Sequence, residues 1–152
     1  MIREEIKKQL VEAMKAGQKE KVDTLRLINA TIKDKDIADR QKGNIEGISD
    51  NAILSVLQGM IKQRKESISL YTQGGRTELA EAEQREVDII QSFLPKQMNA
   101  DEMKEAIKLA ITETGASGIK DMGKVMGILR SKYAGKMDFG TASSEIKDLL
   151  AG

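Results

Sequence analysis

The sequence predicts an all-α protein: an N-terminal bundle of about four helices, including a long antiparallel hairpin, joined to a small three-helix C-terminal domain. Three observations predict it. Apolar residues recur at helical spacing in one segment after another. No segment sustains the two-residue alternation of a half-buried strand. The breakers fall between the periodic segments, at Gly17, Gly43 and Gly47, Gly74 and Gly75, Pro95, Gly115 and Gly135.

Ile2, Ile6, Leu10, Ala13 and Met14 define a first helix that Gly17 terminates. Val22, Leu25, Ile28 and Ile32 define a second, from about Glu20 to near Arg40, before a loop marked by Gly43 and Gly47. Ser49 is the expected N-cap of the third, whose stripe is Ile53, Val56, Leu57, Met60, Ile61 and Ile68 and which runs to Tyr71. Gly74 and Gly75 turn the chain into a fourth helix near Thr77, carrying Leu79, Ala82, Val87, Ile90, Phe93 and Leu94. Pro95, the single proline, ends it, because proline lacks the amide proton and pushes its predecessor out of helical geometry.

The domain boundary is expected between Leu94 and Ala100, dividing the chain into 1–95 and 96–152. Beyond it, Asn99 followed three residues later by Glu102 reads as a capping box, and Met103, Ala106, Ile107, Ala110 and Ile111 form a fifth helix ending at Gly115. A glycine-rich basic helix follows, then a turn from Gly135 to Gly140 and a last helix from about Thr141 with Ile146, Leu149 and Leu150. Two polar residues interrupt the bundle pattern. Arg64 lies on the apolar stripe between Met60 and Ile68, and Glu86 precedes Val87 and Ile90 on the facing helix. They are either a partly buried structural ion pair that fixes register, or edge residues with packed stems and solvated heads.

Composition narrows the function classes. Cysteine and histidine are absent, which removes disulfides, thiol nucleophiles, the usual zinc ligands and the commonest general base. Carboxylates, lysines and hydroxyls remain, without the clustering that catalysis needs, so no catalytic residue, metal site or cofactor is expected. Ser117 and Lys120 resemble a Ser-Lys amidase pair only superficially; Ser117 is read as the N-cap of the turn into the basic helix, and the chain as a binder more than an enzyme. The N-terminus is charged and no run of eighteen apolar residues occurs, so a soluble cytoplasmic protein without membrane contact is expected.

The net charge is only +1, and residues 1–95 carry 16 basic and 16 acidic side chains. Residues 115–137 carry five basic side chains and one acid, Asp121. On a helix, Met122, Val125, Met126, Leu129 and Tyr133 share one side, while Gly123, Gly127, Ser131 and Ala134 line the other beside Lys120, Lys124 and Arg130. Two interior glycines each cost about 1 kcal/mol relative to alanine, so close approach of another molecule is the reading that explains them.

The run GASGIKDMGKVMG, the segment MIKQRKES and the SFLPKQM junction resemble the bacterial YqeY proteins, whose domain also forms the C-terminal tail of the B subunit of aspartyl/glutamyl-tRNA amidotransferase. The resemblance spans the whole chain, and DMGKVMG is its most specific part. It implies a helical bundle joined to a small three-helix domain, and a role near transfer RNA in translation. The chain is too short for the catalytic domains of the amidotransferase, so a carbon-nitrogen ligase label with glutamine as amide donor attaches by family association only. By position in the motif, Lys120, Lys124 and Lys136 are expected to contact an RNA backbone; Arg130 and Lys132 join them from charge and helical geometry, and Gly123 and Gly127 as the smooth surface between.

Two competing readings accompany this one. The glycines permit tight helix packing within the protein and the lysines are a solvated rim. Alternatively, the chain is a protein-interaction module that docks on an amidotransferase or synthetase component, a protein partner in tRNA-dependent amidation. The low aromatic content, 3%, argues against a tight hot-spot interface of that kind.

Overall fold

Two clusters of buried apolar side chains organise the protein, and each belongs to its own compact unit, one spanning Met1–Leu94 and the other beginning at Pro95. The structure, a computed structural model, describes residues 1–151. Among them are seven α-helices, one short 3-10 turn and no strand. The first unit holds α1 (Ile2–Lys15), α2 (Lys19–Arg40), α3 (Asp50–Gln73) and α4 (Thr77–Gln91). The second holds α5 (Ala100–Thr114), the 3-10 turn (Ile119–Asp121), α6 (Met122–Lys132) and α7 (Phe139–Ala151).

In the first unit α3 and α4 form the long antiparallel hairpin, and α1 and α2 pack beside it. Ile6, Leu25, Ile28, Ile53, Leu57 and Ile90 lose all contact with solvent, one or more from each helix. Ser49 caps α3, its hydroxyl accepting the Ala52 amide at 3.2 Å. α4 stops at Gln91, three residues before the sequence pattern runs out. Its last turn tightens: Ser92 and Phe93 donate to the carbonyls three residues back, and the Ser92 hydroxyl donates to the Ile89 carbonyl. Phe93 and Leu94 still pack on the core from outside the helix. Their periodicity marks burial, and burial there needs no helix.

The Arg64 guanidinium donates to Glu86 at 2.7 Å and to the Met60 carbonyl at 3.1 Å, with 11% of its side chain exposed. It therefore ties α3 to α4 from a largely dry position. A second ion pair was not visible in the sequence pattern. Arg3 of α1 grips Asp36 of α2 with both guanidinium nitrogens and also donates to the Ile48 carbonyl, while Asp36 accepts the Ile48 amide at 2.8 Å. The loop between α2 and α3 is thus clamped to two helices at once. Gly47 makes this contact feasible. Its φ is +95°, and an added Cβ would sit 2.8 Å from the Arg3 guanidinium and 2.9 Å from the Asp36 carboxylate.

The second unit closes on Ile107, Val125, Leu129, Ala142 and Ile146, all without exposure, with Met137 beside them. The Asn99 capping box is present, with Asn99 accepting from the Glu102 amide at 2.8 Å and Glu102 accepting from the Asn99 amide at 3.3 Å. Gly115 ends α5 in the left-handed region at φ +66°. α7 begins at Phe139 because Asp138 receives the Gly140 and Thr141 amides and the Thr141 hydroxyl. No described helix is long and apolar enough to cross a membrane.

Two predictions follow from the clamps. Removing Arg64 leaves Glu86 without its partner, so Arg64→Met should lower stability by about 1–2 kcal/mol in a urea melt, while Lys65→Met on the exposed side of α3 stays within about 0.5 kcal/mol. Equal midpoints for the two variants would show that the pair does not hold the hairpin. Hydrogen bonds from Arg3 hold the Asp36 carboxyl below the usual carboxylate range, helped by the Ile48 amide and the Arg3 and Arg40 charges, against the effect of burial. A depressed folded pKa contributes stability that is present above the unfolded value, near pH 4, and is lost as pH falls through the folded value. Asp36→Asn should therefore destabilise at pH 7 by about 2 kcal/mol and flatten the acid limb of a stability-against-pH curve. An unchanged acid limb would show that this pair contributes nothing to it.

Candidate nucleic-acid interface

Burial of Val125, Met126 and Leu129 sets the rotation of α6. These residues face the core made by α5 and α7, which turns Gly123, Lys124, Gly127, Arg130 and Ser131 to solvent. Cβ atoms added at Gly123 and Gly127 would meet nothing within 4 Å. The two glycines therefore serve no helix packing within the second unit. They leave a strip of bare backbone on a helix, flanked by Arg130 on one edge and by Lys124 and Ser131 on the other.

The entry to α6 is built by Asp121, the one acid of the segment. Its carboxylate receives the Ser117 amide at 3.0 Å, folding residues 117–121 back on themselves. That bond lowers the Asp121 pKa more than any other contact, with the Gly118 amide and the Lys124 and Lys120 charges adding to it and desolvation opposing. Ser117 is not the cap that the sequence suggested: Gly118 stands at that position, and Ser117 takes part through its backbone. The signal for Asp121 was present as an acid alone among cations, but only the fold shows which amide it serves.

The predicted cations divide. Among the described residues Lys120, Lys124, Arg130 and Lys136 are exposed and enter no ion pair. Lys120 and Lys124 lie close enough to Asp121 to act on its charge. Lys136 follows α6 in the turn that the Gln97 side chain and the Met98 amide hold through the Gly135 and Lys136 carbonyls. Lys132 differs. Its ammonium meets both carboxylate oxygens of Glu113 on α5, at 3.0 and 3.1 Å, and it follows Gly123 by about two and a half turns, which puts it on the other side of the helix. The structure groups Gly123, Lys124, Gly127 and Arg130 on one face, with Lys120 at its entrance, and separates Lys132 from them.

No buried side-chain polar atom lacks a partner, and no group of three or more acids is placed to hold a metal among the described residues. The face offers cationic ends around an uncovered backbone, which suits a polyanion with a regular surface.

Comparison with known proteins identifies the chain. The family model for Yqey-like proteins matches residues 3–150, and the protein belongs to the YqeY family. It is 34% identical over 89 residues to "Altered inheritance of mitochondria protein 41, mitochondrial" of Eremothecium gossypii, covering 59% of this chain and 46% of that protein. It is 28% identical over 145 residues to the protein of the same name in Pyrenophora tritici-repentis, covering 93% of this chain and 76% of that one. An uncharacterised protein of Schizosaccharomyces pombe is 31% identical over 91 residues, 60% of this chain and 70% of its own length. The match thus spans about half the length of the Eremothecium relative.

The open face predicts its own stability test. With nothing near the missing Cβ atoms, Gly127→Ala should stabilise the protein by about 0.5–1 kcal/mol through helix propensity alone, and raise the thermal midpoint. A lowered midpoint would mean that the glycine is packed after all.

Proposed function

We propose that this YqeY-family protein is a non-catalytic accessory module that holds transfer RNA, or another structured RNA, against the α6 face. The observation that carries the reading is the pairing of bare backbone at Gly123 and Gly127 with the exposed cations Lys124 and Arg130, which enter no ion pair among the described residues. A ribose-phosphate strand can approach the glycine strip while the flanking side chains and Lys120 and Lys136 reach phosphates. The surface has no exposed aromatic to stack on a base, since Tyr133 and Phe139 are each half-buried in the second core. Shape and charge are then what the face reads, and base sequence is not.

Docking on an amidotransferase or synthetase component is compatible with this role, as RNA held by one protein is commonly worked on by another. The amidotransferase connection and the cytoplasmic location belong to the same proposal; the Eremothecium and Pyrenophora relatives are named as mitochondrial proteins.

Titration of unfractionated transfer RNA tests the reading. Three or four phosphate contacts give a log-log slope of about −2 to −4 between affinity and salt. Replacing Lys120, Lys124 and Lys136 with Ala should flatten that slope and weaken binding on the order of 100-fold at low salt, whereas Lys132→Ala, which removes a cation already paired with Glu113, should change affinity less than threefold. Absence of binding by the wild type at low salt would end the RNA reading. Loss on Lys132→Ala equal to that of the triple variant would move the contact surface off the glycine face.

A further inference from the structure

The first unit carries an uncovered surface of its own. α2 and α3 both pack on α4 but stay apart from each other along much of their length, leaving an open groove of about 670 Å³. Its floor is apolar, made by Ile48, Ala52, Val56 and Met60, of which Ile48 and Met60 are buried. Thr31, Lys35, Ala38 and Lys42 form one wall, and Ser55, Gly59 and Gln63 the other. Gly59 lies mid-helix with no atom within 4 Å of an added Cβ, so nothing in the described chain occupies the space above it.

We propose that this groove docks an acidic amphipathic helix of a partner protein. The size fits a helix. From Thr31 to Arg40, where α2 ends, the wall is about two and a half turns, or roughly 14 Å, and a helix about 10 Å across sunk to half its depth over that length fills on the order of 500 Å³. Small residues, Ala38, Ala52, Ser55 and Gly59, let a second helix approach as ridges into grooves require, while Val56 and Met60 supply the apolar contact.

Charge decides the chemistry of the occupant. Lys35 lies on α2 and Lys42 in the turn that follows it, both on one edge of the groove, and neither enters an ion pair among the described residues. Asp39 between them accepts from the Asn44 side chain at 3.3 Å, and the opposite wall is uncharged. A docking helix with acids seven residues apart would meet both lysines from one face and its apolar stripe would meet the floor. RNA fits poorly here, because the floor is apolar.

The test uses the full chain as bait for a displayed library of 20-residue helices with a fixed Leu/Ala stripe and flanking positions drawn from Glu, Lys, Gln and Ala. The expected winners carry Glu pairs seven residues apart and bind a Gly59→Leu variant at least tenfold more weakly. The Gly59→Leu side chain enters free space and replaces a helical glycine, so its thermal midpoint should match or exceed that of the wild type. A Lys35→Glu/Lys42→Glu variant, altered only at exposed positions, should reverse the selection toward Lys pairs. Failure to enrich any helix, enrichment without acidic preference, or winners indifferent to both variants would overturn the proposal. So would sedimentation of the wild type as a dimer that Gly59→Leu dissociates, since the occupant would then be a second copy.

Discussion

The candidate surface depends on one constraint: Val125 and Leu129 must leave water. Both are fully buried, and between them they fix the rotation of an eleven-residue helix. Each buried aliphatic side chain is worth about 1.5–3 kcal/mol, and the two together exceed what the two glycines cost α6 in propensity. The hydrophobic side therefore wins, and its opposite is delivered to solvent with Gly123 and Gly127 uncovered. Lys124 and Arg130 flank them because of their positions along the same helix, and Asp121 organises the entry by closing the turn before it. The face needs no dedicated scaffold of its own; it is the complement of the core.

Helices, caps and breakers were legible in the sequence because each is written locally. The Asn99 and Glu102 box, Ser49 and Gly115 all act within a few residues of where they stand. Burial was also legible, even where helix was not: Phe93 and Leu94 pack on the core after α4 has ended. What the sequence did not display was pairing over distance. Arg3 and Asp36 are 33 residues apart, and Lys132 and Glu113 are 19 apart. Charge alone groups Lys132 with Lys124 in one basic run, although nine residues of helix set Lys132 half a turn away from Gly123. The position of α5 shows that Lys132 is paired with Glu113, whereas Lys124 enters no ion pair among the described residues. Arg64 and Glu86 could be suspected from a broken apolar stripe, whereas Arg3 and Asp36 interrupt nothing and so left no mark.

The candidate site was legible in its residues and not in its grouping. Composition pointed to residues 115–137, and the family resemblance pointed to the same run. Neither could separate two uses of a glycine pair, packing and exposure. The empty space around Gly123 and Gly127 separates them within the second unit. The polar inventory of the chain is consistent with a holding role: its ion pairs tie helices together, at Arg64 with Glu86 and Arg85 with Glu20, or clamp loops, at Arg3 with Asp36. Lys120, Lys124, Arg130 and Lys136 take part in none of these ties among the described residues.

A nitrogen-15 correlation spectrum of the labelled protein, recorded with and without transfer RNA at low salt, tests the central claim most directly. The account predicts that shifts concentrate at Lys120, Gly123, Lys124, Gly127, Arg130 and Lys136 and vanish on adding salt. Shifts centred on Lys132 and Glu113 or in the first unit, or a spectrum unchanged by RNA, would contradict it.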